Sequence, residues 1–236
     1  MTLSFPAAPS DYLDLSHTAH ASLFDDACHV WDPVARIAAY LAERLESANH
    51  GKFIANAYVG ERVYIGKGTT IQPGATILGP AWIGENVFIG AGCLIRENVL
   101  IDDGAIVGNS SEFKNCVLFE RAEVPHFNYV GDSILGYRAH LAAGVILSNY
   151  RLDHGVVDIP DPAAPGSKIN TGLEKFGAVV GDNVDIGCNA VISPGSLLGP
   201  RSVLYPGVHW RGVLPADKIV KVRQQQQIVD RKPALM

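Results

Sequence analysis

The chain has 236 residues, of which 47% are hydrophobic and 18% charged, with a formal net charge of −5. That length suits one or two domains with a sizeable core, and an acidic balance without a basic stripe argues against general nucleic-acid binding. There is no apolar run near the ~18 residues of a membrane span and no basic-plus-apolar leader, and Cys28, Cys93, Cys116 and Cys188 form no CxxC pair, so a reduced cytoplasmic setting is expected.

Residues 1–50 read as a helical segment. Asp32-Pro33 followed by Val34, Ile37, Leu41 and Leu45 gives one apolar stripe at helical spacing, with Asp32 as N-cap and Pro33 in the first turn. The helix is expected to end between Ser47 and Gly51 and to cap an open end of the remaining chain. His17, His20 and His29 lack a tight His-x-x-x-His pair and are assigned surface or packing roles.

From Ala57 a six-residue beat sets in. Val59, Ile65, Ile71, Ile77, Ile83, Ile89, Ile95, Ile101 and Val107 recur at that step, each preceded two residues earlier by a small or branched residue such as Ala75, Val87 or Cys93. Short strands of β-branched residues joined by tight corners are the signature of a β-helix, whose core is a column of stacked rungs. An ordinary β-sandwich would space its strands at roughly 8–12 residues and less evenly. Cys93 falls in the small interior slot and belongs to the core.

The beat loosens through Glu120 to Asp132, where Pro125, His126, Phe127, Asn128 and Tyr129 intervene, and resumes with Leu135, Leu141 and Leu147. A second break covers Asn149 to Lys175, marked by Pro160, Pro162 and Pro165-Gly166, and is too long for a corner. The beat returns at Val180, Ile186, Ile192 and Leu198. From Pro215 the chain reads as a final strand or helix and a tail with a Gln224–Gln227 tract. The expected organisation is a cap over 1–50, a coil over 51–214 with an excursion at 149–175, and a tail over 215–236.

If three hexads make one coil, residues 18 apart stack about 4.8 Å from one another. Arg96 and Lys114 then share a face. Two stacked cations either hold a phosphate or are simply solvated. His126 is the candidate base, being able to take a proton near neutral pH. Its alternative is a structural histidine beside Tyr129. His126, His140 and His154 recur at steps of 14, which does not return to one face, so a three-histidine zinc site ranks below the base.

Three stretches, Gly108-Asn109-Ser110-Ser111-Glu112-Phe113-Lys114, Pro125 to Asp132, and Ala142-Ala143-Gly144 with Asn149-Tyr150, resemble the acetyltransferase domain of bacterial bifunctional N-acetylglucosamine-1-phosphate uridyltransferase/glucosamine-1-phosphate acetyltransferases. The spacing matches without insertion from Arg96 to Tyr150. The resemblance implies a mainly β fold, a left-handed parallel β-helix (hexapeptide-repeat solenoid), assembled as a homotrimer with sites between subunits. It implies acetyl-CoA as co-substrate, no metal, and an amino-sugar phosphate or nucleotide-linked amino sugar as acceptor. By position, Arg96 and Lys114 would bind the phosphate, His126 would be the general base with Glu112 supporting it, and Tyr129, His140, Asn149 and Tyr150 would hold the sugar. Ala143 and Cys188 would lie along acetyl-CoA, with amides near Ala143 facing the oxyanion.

The sequence departs from the family at His140, where an Asn is usual, and at Arg151-Leu152 after Asn149-Tyr150. The family's next lysine is absent, the excursion is longer, and the uridyltransferase half is missing. Two other functions use the same coil: a non-catalytic β-helix that binds a sugar nucleotide or trimerises a partner, and a metal-dependent hydratase.

Overall fold

A computed structural model describes residues 7–53, 56–164, 166–223 and 225–231. Pro165 and Gln224 of the sequence analysis lie outside those residues. The chain forms a parallel β-solenoid of about nine turns, the left-handed β-helix class expected. Three parallel sheets make its faces, and a two-stranded hairpin stands apart. The first face includes Val63–Ile65, Ala81–Ile83, Val99–Ile101 and Cys116–Leu118. The second includes Phe88–Ile89, Ile106–Asn109, Glu123–His126 and His140–Leu141, and the third Leu94–Ile95, Glu112–Lys114, Tyr129–Gly131 and Ile146–Leu147.

The aliphatic of each hexad points inward. Ile65, Ile71, Ile77, Ile83, Ile89 and Ile95 are fully buried in one core column, with Cys93 among the small residues between them. Pairing steps of 18 residues, as from Ala81 to Val99, fall to 17 from Val99 to Cys116 and from Val117 to Ile134. The expected loosening over Glu120 to Asp132 is therefore no excursion. Val124 and Val130 stay in the column, and the missing residue lies in two corners between the third and first faces, at Lys114–Cys116 and Gly131–Ser133. The excursion after Leu147 is real: Ile146 pairs directly with Val191. Within it Asp158–Pro160 and Lys168–Asn170 pair antiparallel.

The N-terminal segment is helical, but its α-helix covers only Ile37–Arg44, preceded by 3-10 turns such as Asp32–Ala35. Asp32 is not the N-cap. Its carboxylate turns back to accept the His29 amide at 2.8 Å. The segment also does not close an open end. Trp31, Val34, Ile37 and Leu41 pack on Leu100, Val117, Phe119, Ile134, Val179 and Leu197, which are outward residues of the first face and its corner. Those positions are apolar, so a solvated first face would expose a hydrophobic wall, and the segment covers it lengthwise.

Polar contacts fasten the cover. His17 stacks on Tyr137 with ring centres 3.7 Å apart, and the Asp14 amide donates to Asp182 at 2.7 Å. Asp102, almost fully buried, accepts the Ala19 amide at 3.0 Å. Burial pushes the Asp102 carboxyl up to about 7, against hydrogen bonds from Thr18 and Ala19. Burial, aided by the Arg44 charge, pushes neighbouring His20 down to about 4. Both groups are thus neutral between those values.

The two groups carry opposite signs. The raised Asp102 contributes stability that is fully present below its unfolded value, ~3.9, and lost as pH rises through about 7. The lowered His20 contributes stability present above ~6.5 and lost as pH falls through about 4. Asp102→Asn keeps the acceptor oxygen and removes the loss at high pH. Thermal unfolding is expected to show the variant gaining roughly 5 °C on the wild type between pH 5 and pH 8; a constant difference across that range would contradict the raised carboxyl.

Candidate active site

Stacking converts sequence spacing into rows of side chains along each corner. At the corner between the second and third faces, Phe127 donates its amide to Asn109, Gly144 to His126, and Asn189 to Ala143, at 2.9, 3.0 and 2.9 Å. Asn109, His126, Ala143 and Cys188 are therefore successive rungs of one row. The His126 rung packs tightly on the one before it. A Cβ on Gly108 would collide with the Pro125 carbonyl, so only glycine fits there.

His126 is exposed, and its imidazole has no hydrogen bond or ion pair among the described residues. Its backbone is held instead. Buried Asn128 accepts the His126 amide at 3.0 Å and donates to the Ala142 carbonyl at 2.7 Å, bridging two rungs. Phe127 takes a left-handed backbone (φ 53°) with its ring exposed. That conformation is uncommon for a bulky side chain.

A second group gathers on the third face. Arg96 donates to Glu112 at 2.9 Å and lies 3.5 Å from Glu97. Lys114, one rung on from Arg96, lies 3.7 Å from Asp132. Asn149 donates to the Tyr129 hydroxyl at 3.2 Å and to Asp132. The hydrogen bond to Glu112 holds the Arg96 guanidinium above its usual value, while partial burial pushes the Tyr129 phenol up against the bond from Asn149. Both expected phosphate-binding cations thus rest on carboxylates, and Glu112 is bound to Arg96 rather than to His126.

The remaining expected residues lie elsewhere. His140 stands on the second face, 3.3 Å from Asp185. Tyr150 faces the excursion, bonded to His154 at 3.0 Å and beneath Lys175. With Ser148, Arg151, Ser193 and Arg211 it lines a cleft of about 470 Å³. Cys188, Asn189, Pro206, Gly207 and Val222 border another of about 580 Å³. No three or more His, Cys, Asp or Glu side chains converge to hold a metal among the described residues. No described helix is long and apolar enough to cross a membrane.

A profile described as "GMPPB C-terminal domain" matches residues 77–193. "Bifunctional protein GlmU" of Methanococcus maripaludis (strain C5) is 33% identical over 181 residues, which are 77% of this chain and 43% of that protein. "Uncharacterized acetyltransferase YaiX" of Escherichia coli O6:K15:H31 (strain 536 / UPEC) is 40% identical over 154 residues, 65% of this chain and 66% of that one. The chain belongs to the hexapeptide-repeat acyltransferase family. It spans less than half the length of the GlmU relative. Among solved structures, the UDP-N-acetylglucosamine acyltransferase from Campylobacter jejuni aligns over 72% of this chain and 69% of its own, at 13% identity and a TM-score of 0.31.

Within this family member two residues to which the sequence reading gave no role organise the site. Asp132 joins Lys114, Asn115 and Asn149, and Asn128 anchors the His126 rung. Both sit inside the stretch singled out around His126, so the signal was a buried polar residue at each side of Tyr129-Val130-Gly131. The cysteines divide as the coil dictates. Cys28 and Cys188 are exposed, while burial raises the thiols of Cys93 and Cys116 well above their usual range. A colorimetric thiol reagent is expected to modify Cys28 and Cys188 in the native protein and the other pair only on unfolding; four equally fast thiols would contradict the column.

Proposed function

We propose that this chain transfers the acetyl group of acetyl-CoA to the amine of a phosphate-bearing amino sugar, free or nucleotide-linked. The observation that carries this reading is the single row His126, Ala143, Cys188, beside clefts deep enough for an extended ligand. An unpaired imidazole at the rim is available to an incoming amine, which a core histidine would not be. The chain is 33% and 40% identical to the GlmU and YaiX relatives, and YaiX is named an acetyltransferase.

The steps use this chain's own groups. The acceptor amine attacks the thioester carbon, and His126 takes the proton that the nitrogen loses. The C–S bond breaks, and the thiolate leaves with that proton or one from solvent. The Gly144 amide is already bound to the His126 carbonyl, so the donor for the developing oxyanion in this corner is the Ala143 amide, which has no intramolecular acceptor among the described residues. Arg96, Lys114, Tyr129 and Asn149 would position the phosphate and sugar. The phosphate would share or displace the carboxylates of Glu112 and Asp132. His140 would contribute from the second face.

Assembly follows from what is covered. The first face lies under the N-terminal segment, whereas exposed Tyr58, Phe88, Tyr205 and Ile219 lie on the other two faces. A homotrimer burying them is part of this reading, and light scattering is expected to give three times the chain mass.

His140 in place of the usual Asn, and the absent lysine after Asn149-Tyr150, favour a second reading, a non-catalytic β-helix that binds a sugar nucleotide. Turnover separates the two. His126→Ala is expected to lower kcat for acetyl transfer to glucosamine-1-phosphate by ~10²–10⁴-fold with KM nearly unchanged. Full activity in that variant would remove His126 as base. Binding of a sugar nucleotide without any acetyl-CoA binding in the wild type would leave the non-catalytic reading.

A further inference from the structure

The corner between the first and second faces carries a feature that the proposed transfer does not use. From Gly68 onward, one residue of this corner in each coil adopts a left-handed backbone. The row runs Gly68, Asn86, Gly104, Arg121, Arg138, Asn183, Arg201, Asp217, with φ between 53° and 73°. Glycine and asparagine suit that conformation, and arginine does not. Among the described residues no other corner row places arginine there.

Arg201 is accounted for. It is bound through two hydrogen bonds by Asp217 of the next rung, at 2.6 and 2.7 Å. The pair also shows that side chains in this row reach one another across a rung. Arg121 and Arg138 are likewise one rung apart, yet both are cations. Neither has a hydrogen bond or ion pair from its side chain among the described residues; Arg138 rests over the Tyr137 ring, 5.2 Å from its centre. Like charges on adjacent rungs repel. The corner therefore holds two side chains that are unfavourable to the backbone and to each other.

The surrounding carboxylates do not offset them. Glu120 is 3.4 Å from His17, Asp182 accepts the Asp14 and Tyr137 amides, and Asp185 pairs with His140. Asp103 accepts the Glu85 amide. Of the described carboxylates beside Arg121 and Arg138, Glu123 lacks a partner, as does Glu85 two rungs before Arg121. Arg96 and Lys114, by contrast, both rest on carboxylates. Arg121, Arg138, Glu123, His140, Asp185 and Gly104 line a cleft of about 560 Å³. Gly104 leaves the floor open, since even an added Cβ would only touch the Arg121 stem, at 3.5 Å. The cleft shares His140 and Asp185 with a second hollow that reaches Ala142 and Pro206, so it continues across the second face toward the His126 row.

We propose that Arg121 and Arg138 form a binding site for a phosphate or diphosphate group, separate from the Arg96 and Lys114 pair. Guanidinium forks meet phosphoryl oxygens in pairs, and two forks about one rung (~4.8 Å) apart match the oxygens of a diphosphate. The anion cancels the repulsion that the free protein carries. Glu123 is placed to accept from a hydroxyl or amine of the same ligand. Two molecules of the proposed reaction bring such a group: the thioester donor, and an acceptor linked to a nucleoside diphosphate.

Calorimetry of the full chain with inorganic pyrophosphate tests the site without relying on turnover. The wild type is expected to bind it, and Arg121→Asn/Arg138→Asn to bind about tenfold more weakly or not at all. Asn is the residue this row uses at positions 86 and 183, so the variant's melting temperature without ligand should be unchanged or higher. Arg121→Lys/Arg138→Lys serves as the reading should the Asn variant fail to fold; it keeps the charge, loses the fork and should bind with intermediate affinity. Repeating the titration with coenzyme A and with a uridine-diphosphate-linked amino sugar identifies the source, as the one whose affinity drops in the variant. Failure of the wild type to bind pyrophosphate, or equal binding by wild type and variants, would overturn the site. An inactive enzyme that still loses pyrophosphate binding on substitution would overturn the transfer reading and leave this one standing.

Discussion

Every rung of this molecule hangs on its parallel pairing with the rung before. The backbone ladder sets a spacing of about 4.8 Å, and the inward aliphatics lock the register, because a slip by one residue would turn Ile83 or Ile95 out to solvent. A column of this kind has no separate core for each segment. Each coil is stable because its neighbours cover it. That same register decides chemistry, since it alone determines which outward side chains become neighbours. His126, Ala143 and Cys188 are far apart in sequence and adjacent in the stack only because their rungs pair.

Where the register changes, polar groups collect. The two corners shortened by one residue contain Lys114 and Asp132, and the ion pair between them bridges consecutive short corners. The long excursion leaves immediately after Ser148, so Asn149 is free to turn onto Tyr129 and Asp132 while Tyr150 turns the other way. A perfectly periodic coil would present repeated surfaces and no unique site. The departures from the period break that repetition, and the tight packing at Gly108 lets one of them remain within the column.

The N-terminal segment gives the three faces different roles. The first face carries Leu100, Val117, Ile134, Val179 and Leu197 outward, and a free apolar wall of that kind would aggregate. Covering it lengthwise leaves the second and third faces, which carry the clefts and the exposed aromatics, open to ligands and partners. The fastening includes a buried Asp102 and a buried His20 held neutral by their surroundings, so the hold of the cover on the coil is tied to pH. It also reaches the arginine corner: His17 stacks on Tyr137, and Tyr137 supports Arg138.

The sequence by itself determined the architecture. A β-branched residue at every sixth position is the signature of stacked rungs, and Val59 through Val107 announced the coil with no tertiary information, although its left hand came only from the family resemblance. It also located the rung of His126, because polar and aromatic residues at Pro125 to Tyr129 interrupted an apolar rhythm. What only the tertiary structure decided was which charges meet. Arg96 and Lys114 looked like free cations, yet Glu112 and Asp132 stand within reach of them. Arg121 and Arg138 carried no signal in the sequence, yet among the described residues neither side chain has a hydrogen bond or ion pair. The N-terminal helix read as an end cap because its apolar stripe says only that it is covered, not by what. Its true partner is the outward side of the first face, whose Leu100, Val117 and Ile134 were indistinguishable in sequence from the inward residues beside them. Periodicity fixes the direction of side chains along a strand. Partner choice depends on distances across the stack, and those exist only once the chain has coiled.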